Sequence, residues 1–352
     1  MNILITGGAG FIGSHVCKLL ATNGHLPITY DNLSRGHRAA VRWGPIEVGE
    51  LEDRKKLTEV LEHYLPVAVM HFAAFAYVGE SVERPMLYYR NNVAGSVALL
   101  ETLIEFAPLP IIFSSSCVTY GLPKTIPMTE EHPQHPINPY GHSKLLVEQM
   151  LIDAGKAHSL PWVALRYFNA AGADPDGEIG EDHDPETHLI PLVLRAARTN
   201  SAVEVYGADY DTPDGTCVRD YVHVVDIADA HLRALNYLLG NGLSCAFNLA
   251  NTRGYSVKEV IATAERVCGR KIPIKIGPRR PGDPPTLVGS AERARALLGW
   301  TPGRSDLEVQ IADLWKRVNS RAAKTRAIGF SAISCLARAE SFPGSVLLAA
   351  WS

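Results

Sequence analysis

The strongest constraint on this chain is a run of small residues directly behind its first apolar segment. Asn2-Ile3-Leu4-Ile5-Thr6 reads as a buried strand, and Gly7-Gly8-Ala9-Gly10-Phe11-Ile12-Gly13 follows at once and opens a helical stretch. Gly7, Gly10 and Gly13 therefore make a G-x-x-G-x-x-G turn between strand and helix. Residues without a Cβ let the backbone approach a pyrophosphate, and the helix N-terminus offers it unsatisfied N–H groups and partial positive charge. A glycine turn alone is a weak sign. Here the second apolar run ends Ile28-Thr29-Tyr30-Asp31-Asn32, which sets Asp31 where an acceptor for adenosine ribose hydroxyls belongs. A carboxylate at that place selects NAD over NADP. Arg35 and Arg38, in the same loop, leave the opposite choice open as receivers of a phosphate.

The first two-thirds of the chain alternates short apolar runs with longer helical stretches, the pattern of a parallel sheet covered on both faces. Further strands are expected at 66–71, 110–113 and 162–166, and helices at roughly 12–23, 53–64, 84–106 and 141–157. The third helix is apolar enough to offer a face to a second copy of the chain, so a homodimer is expected. After about residue 170 the texture changes to Gly-, Pro- and Asp-rich loops at 172–185, 207–215 and 277–285. Helices near 188–198, 224–239, 256–268 and 306–318 would support them. The fold class that follows is α/β: a Rossmann-type doubly wound parallel sheet over 1–170, and a smaller α/β substrate-binding domain over 171–320 from which the chain can cross back. Residues 321–352 form an atypical apolar tail without cap or clear period.

Composition narrows the function. The 352 residues carry a net charge of −3 with basic side chains dispersed, so no footprint for nucleic acid or an anionic membrane is seen. Six cysteines (Cys17, Cys117, Cys217, Cys245, Cys268 and Cys335) include no C-x-x-C pair, which fits neither a zinc site nor a disulfide framework. Reduced thiols and no metal are the expectation. Met1 leads straight into a strand pattern, and no apolar run of about 18 residues follows. A soluble cytoplasmic protein acting on a small molecule is therefore expected.

With 13 tyrosines and 34 basic residues, about one tyrosine followed four places on by a basic residue arises by chance. Two Tyr-x-x-x-Lys pairs occur. Tyr120 to Lys124 spans Gly121-Leu122-Pro123, which breaks helical geometry. Tyr140 to Lys144 opens a helical stretch, so phenol and ammonium lie on one face and point into one cleft. Holding a tyrosine as phenolate near pH 7 takes roughly 4 kcal/mol of differential stabilisation, which an ammonium and a positive nicotinamide ring can supply in a desolvated cleft. Such a phenolate takes a proton from a hydroxyl while the carbon beneath gives hydride to NAD. Ser114-Ser115-Ser116 follows the apolar strand at the carboxyl edge of the sheet, where a serine hydrogen-bonds the hydroxyl being oxidised or merely caps the strand.

With Gly7 to Gly13, Ser116, Tyr140 and Lys144 in that order, the chain resembles the extended short-chain dehydrogenase/reductase family. Further motifs resemble the UDP-glucose 4-epimerases, from residue 1 to about 318: His71-Phe72-Ala73-Ala74, Val78-Gly79-Glu80-Ser81, Tyr88-Tyr89-Arg90-Asn91-Asn92-Val93, Arg166-Tyr167-Phe168-Asn169 and Gly215-Thr216-Cys217-Val218-Arg219-Asp220-Tyr221. The resemblance implies Ser116, Tyr140 and Lys144 as the catalytic group. It implies NAD contacts at the glycine turn, Phe11, Ile12, Asp31, Asn32, Glu50, Leu51, Phe72, Ala73, Ala74, Asn91, Ser116, Tyr140, Lys144 and Phe168. UDP-sugar contacts are implied at Ser116, Tyr140, Asn169, Leu189, Tyr206, Arg219, Arg280 and Asp283. Guanidinium forks suit a diphosphate, and a carboxylate suits a ribose hydroxyl.

Some positions depart from the pattern. Ala76 stands where many relatives carry a lysine, Val118 where a hydroxyl is common, and Leu287 where some carry a tyrosine that narrows the sugar pocket. A smaller residue at 287 would admit UDP-GlcNAc, and UDP-pentoses or UDP-uronic acids are alternative sugars. A nucleotide-sugar dehydratase would need a carboxylate just after the serine strand, and Val118-Thr119 has none. A non-catalytic NAD-binding protein of the same fold would have little reason to keep both Tyr140 and Lys144.

Overall fold

The computed structural model describes residues 1–280 and 282–320; the tail at 321–352, with Cys335, lies outside the described residues. The first part of the chain runs β1 (Asn2–Thr6), α1 (Phe11–Thr22), β2 (Leu26–Asp31), β3 (Ile46–Val48), α2 (Arg54–Tyr64) and β4 (Ala68–His71). It continues with α3 (Val78–Glu83), α4 (Pro85–Tyr88), a π-turn (Tyr89–Ala94), α5 (Gly95–Phe106), β5 (Ile111–Ser116), α6 (Pro139–His158) and β6 (Trp162–Tyr167). Then come β7 (Asn169–Ala171), α7 (Leu189–Thr199), β8 (Val203–Tyr206), β9 (Val218–His223), α8 (Val224–Leu239) and β10 (Cys245–Leu249). The last elements are β11 (Gly254–Ser256), α9 (Val257–Cys268), β12 (Ile274–Gly277), β13 (Thr286–Leu287), α10 (Glu292–Leu298) and a helical stretch at 307–320.

Seven strands form one parallel sheet in the order β10-β6-β5-β4-β1-β2-β3. Successive residues of a strand face opposite sides, and in β1 Ile3 and Ile5 enter one core while Leu4 enters the other. The first core joins the sheet to α1, α8 and α10, and the second joins it to α2, α5 and α6. Both faces are thus buried, which is why these strands read as continuous apolar runs rather than alternating ones. The strand order turns back between β1 and β4, and the carboxyl ends there open a crevice of the kind in which such sheets hold ligands. A third core packs α7 and α9 with β8 and the 307–320 helix, beside β9 and its partners β7, β11 and β13.

Two expected elements differ in detail. The helix expected over 84–106 is a helical run interrupted by the π-turn at Tyr89–Ala94. There the buried Asn92 amide donates to the Phe75 carbonyl oxygen and accepts from its N–H, so the extra residue in the turn serves a side-chain contact invisible to periodicity. The strand expected to stop at 113 runs on through Ser114, Ser115 and Ser116, whose hydroxyls find partners without leaving the sheet. The five described cysteines are free thiols. Among the described residues no helix is long and apolar enough to cross a membrane.

Candidate active site

One cleft, of about 2210 Å³, runs along the carboxyl edge of the sheet and under the loops that follow residue 170. A drug-sized ligand needs roughly 300–1,000 Å³, so this volume has room for a dinucleotide and a second ligand together. Every residue expected to touch cofactor or substrate lines it, from Gly7, Gly10 and Gly13 through Ser116, Tyr140 and Lys144 to Arg280 and Asp283.

The glycine turn is built against other backbone. Gly7 has φ +73°, and a Cβ there would lie 2.5 Å from the Ala73 nitrogen, so the Phe72-Ala73-Ala74 segment passes directly over it. A Cβ on Gly13 would lie 2.4 Å from the Gly7 carbonyl oxygen. Gly10 caps α1 with no side-chain hydrogen bond, and no acidic residue sits in the first turn. The α1 N–H groups therefore face the cleft without an internal anion, which is what a bound pyrophosphate requires. On this observation the residues fit a dinucleotide.

Asp31, at the end of β2, has two jobs. Its carboxylate accepts from the N–H groups of Ala9 (3.0 Å) and Leu33 (2.8 Å), tying the glycine turn to the loop after β2 while lining the cleft. Burial pushes its carboxyl up, against the pull of those two N–H bonds. Asn32 donates to Glu50 at 2.9 Å. Arg35, left open as a phosphate receiver, is committed elsewhere: its guanidinium pairs with Glu80 at 2.7 Å and stacks over Phe75 and Tyr77. With Arg35 engaged, Arg38 exposed and outside the cleft lining, and Asp31 in the cleft, the loop suits a free ribose rather than a 2′-phosphate. Asn91 lines the cleft from the π-turn, Leu51 packs beneath Gly95, and Phe72 lies against His231 with ring centroids 4.6 Å apart.

Tyr140 and Lys144 owe their placement to the start of α6. Asn138 caps it by accepting from the Gly141 N–H at 2.8 Å and Pro139 sits at the first helical position, so Tyr140 and Lys144 fall one turn apart on one face. Lys144 Nζ lies 5.8 Å from the Tyr140 ring centroid and donates to the Ser114 carbonyl oxygen at 2.7 Å. Burial drives the Lys144 ammonium down to about 7, with Glu148 pulling the other way. Burial drives the Tyr140 phenol up, and a hydrogen bond from the Ser116 hydroxyl opposes it. The pair by itself thus leaves a neutral phenol, and ionisation needs further positive charge nearby. The other pair separates: Tyr120 donates to Asn248 Oδ1 at 2.6 Å in the core, while the Lys124 N–H donates to His132.

Of the three serines only Ser116 faces the phenol. Ser114 bonds the Tyr167 hydroxyl, and Ser115 donates to Glu148. Glu148 is also held by Arg166, Nη2 to Oε2 at 2.6 Å, inside the second core. This buried ion pair locks α6 onto β5 and β6. Nothing in the sequence flagged it beyond the spacing of Glu148, four residues after Lys144.

The far wall carries the polar groups expected for a nucleotide sugar. Asn169 donates to the Asp220 carbonyl oxygen at 2.9 Å, beside Phe168. Leu189 opens α7 at the cleft, and the Arg280 guanidinium stacks over Tyr206 at 3.9 Å. Arg219 donates to the Pro284 carbonyl oxygen at 2.9 Å and pairs with Asp283 at 3.3 Å, so two residues expected to hold different parts of one ligand also hold each other. The turn after β5, Cys117–Thr119, brings no carboxylate toward Ser116.

Residues 3–250 match the model of the NAD-dependent epimerase/dehydratase family. The chain belongs to that family. Among curated members, a UDP-glucose 4-epimerase of Rhizobium leguminosarum bv. trifolii is 51% identical over 315 residues, 89% of this chain and 96% of its own. Among solved structures, UDP-glucose 4-epimerase from Brucella ovis in complex with NAD aligns with a TM-score of 0.87 at 52% identity, covering 89% of this chain and 96% of that one. The enzyme from Bifidobacterium longum in complex with NAD+ and UDP aligns at 0.86 and 37%, covering 91% and 98%.

Proposed function

We propose that the chain interconverts UDP-glucose and UDP-galactose in the cytoplasm by inverting C4 of the sugar, with NAD as cofactor. The convergence of Tyr140, Lys144 and Ser116 on the cleft of the glycine turn carries this reading, in a chain about half identical to UDP-glucose 4-epimerases over nearly their whole length.

NAD, when bound along the glycine turn and Asp31, supplies the hydride acceptor and donor and a positive charge beside the phenol. Tyr140 takes the proton of the sugar 4-hydroxyl and later returns one, acting as general base and then general acid. Ser116 hydrogen-bonds the same oxygen, and Lys144 anchors the phenol side of the site through its bond to the Ser114 carbonyl oxygen. Arg219 and Arg280 hold the UDP diphosphate from the opposite wall, Asp283 and Asn169 hold hydroxyls, and Leu189 and Tyr206 flank the base. The nucleotide stays anchored while the 4-keto sugar turns its other face to the reacting carbon. No net oxidation results.

The test is incubation of the purified protein with UDP-galactose and no added cofactor, followed by product identification. UDP-glucose is expected; an unchanged sugar would remove the proposal. A homodimer through the layer of α3 to α6 is part of the same reading, supported by exposed Val82, Met86, Val97 and Leu146 there. Light scattering that finds only monomer at micromolar concentration would remove it.

A further inference from the structure

The segment between β7 and α7 carries two groups of side chains of the kind that hold cations. In the first, Asp174, Asp176 and Glu178 converge on Lys18 Nζ at 2.8, 2.7 and 2.9 Å, so the chain's own ammonium sits among them. The second consists of Glu181, His183, Glu186 and His188, and its four ligating atoms all lie within 4.8 Å of one another. We propose that Glu181, His183, Glu186 and His188 bind one zinc ion, which fastens the 181–188 loop over the mouth of the cofactor cleft.

Geometry is the first support. Glu181 Oε1 lies 2.9 Å from His183 Nδ1 and 2.7 Å from His188 Nδ1. Glu186 places its oxygens 3.0 Å from His188 Nδ1 and 4.0 Å from His183 Nδ1. Zinc bonds of about 2.0–2.2 Å in a tetrahedron separate ligand atoms by about 3.3–3.6 Å, and the observed spacings straddle that range. These four separations lie within an ångström of that range. Glu186 Oε1 accepts the N–H groups of Thr187 and His188, each at 2.8 Å, which fixes the carboxylate and leaves Oε2 to turn toward the metal.

Charge and ligand type point the same way. The side chains of Glu181 and Glu186 are 2% and 13% exposed, and two carboxylates that far from water require positive charge at close range. A dication balances both carboxylates and leaves both rings neutral. Each imidazole then ligates through its Nδ1 lone pair, and the proton it carried there passes to solvent. Two imidazoles with two carboxylates favour zinc over magnesium or calcium, which take oxygen ligands. Four protein ligands complete the coordination, so the ion is structural and takes no part in turnover.

Its effect would fall on the cofactor. The His183 ring meets the edges of Phe11 (6.3 Å) and Tyr77 (5.6 Å), and His37 Nε2 bonds the Asp182 carbonyl oxygen at 2.8 Å. Phe11 is the first residue of α1, at the glycine turn. A loop pinned there slows dinucleotide exchange.

The test uses the full-length, NAD-containing protein, stripped with chelator and titrated with zinc chloride by calorimetry, with metal content measured by mass spectrometry. One zinc per chain is expected with Kd at or below about 10 μM, weakened at least 100-fold in a His183→Ala, His188→Ala double variant and unchanged in Asp176→Asn. Weaker or non-stoichiometric binding overturns the site, as does binding indifferent to the double variant. If that variant fails to fold, cobalt(II) in the unaltered protein decides: intense tetrahedral d–d absorption supports the site, and weak octahedral absorption overturns it. Chelation should speed loss of bound NAD about tenfold, and an unchanged rate overturns the fastening role. None of these measurements depends on turnover, so they stand or fall apart from the proposed reaction.

Discussion

The two walls of the cleft are made of different material. The cofactor wall is mostly backbone: the glycine turn at residues 7–13, the Phe72-Ala73-Ala74 segment against it, and strand ends held in a seven-stranded sheet. The opposite wall is mostly side chains, with Arg219, Asp283, Arg280 and Tyr206 reaching from loops and short strands spread between residues 206 and 283. Backbone walls bind through groups every residue has, so their specificity rests on where a side chain must be missing. Side-chain walls bind through functional groups, so their specificity rests on which one is present. Substitutions should therefore fail differently on the two sides, and the largest failure should come where they meet.

Tyr140 stands at that meeting point. Tyr140→Phe should lower kcat by about 10²–10⁴-fold while leaving UDP affinity and melting temperature nearly unchanged, since the ring that packs against Tyr88 remains. Steady-state rates together with UDP calorimetry read this directly; retained turnover would show that another group moves the proton. On the cofactor wall, Gly13→Ala adds one carbon that would lie 2.4 Å from the Gly7 carbonyl oxygen and 2.9 Å from the Gly8 Cα. Both contacts are backbone and have no rotamer with which to yield. We expect loss of co-purifying NAD and about 3 kcal/mol less stability, measured by released nucleotide and chemical denaturation.

The same contrast explains which parts of the site are legible in the sequence. The cofactor wall is local in the chain, with the apolar run, the glycines and the following helix contiguous, so its signal is complete within one short stretch. Tyr140 and Lys144 are legible because an i, i+4 pair at a capped helix start specifies its own geometry. The Glu148–Arg166 pair and the Arg219–Asp283 contact join residues 18 and 64 positions apart, and no spacing rule reaches across such gaps. The π-turn at Tyr89–Ala94 is hidden because one inserted residue barely alters a helical period. The expectation of no metal rests on the cysteines alone and passes over the interleaved glutamates and histidines at 181–188.

On the side-chain wall, Arg280→Ala should raise the KM for UDP-galactose about 10- to 100-fold with kcat little changed. Arg280 is exposed and stacks on Tyr206, so removing it costs ligand contact and almost no fold stability. A matching fall in melting temperature would mean that this wall is structural in the way the glycine turn is, and the contrast would fail.

Acidity offers a smaller but sharper division. His15, His71 and His231 lie in the cofactor half and are buried; burial lowers them to about 4, 3 and 4. A histidine lowered on folding contributes stability that is fully present above its unfolded value of about 6.5 and is lost as pH falls toward the folded value. Asp220 lies behind the substrate wall, accepting the N–H groups of Asn251 (2.8 Å), Thr252 (3.2 Å) and Gly289 (3.4 Å). Burial raises it to about 7 against those three bonds. A carboxyl raised on folding works the other way: its contribution is fully present below about 4 and is lost as pH rises through 7. Between pH 4 and 6.5 the three rings outnumber the one carboxyl, so stability should climb with pH, each excess proton on the unfolded chain giving about 1.4 kcal/mol per pH unit. Asp220→Asn removes the opposing group, and urea midpoints across that range should climb more steeply in the variant than in the parent. Equal slopes would mean that the three N–H bonds keep Asp220 ionised at every pH tested, and that the two walls do not differ in this respect.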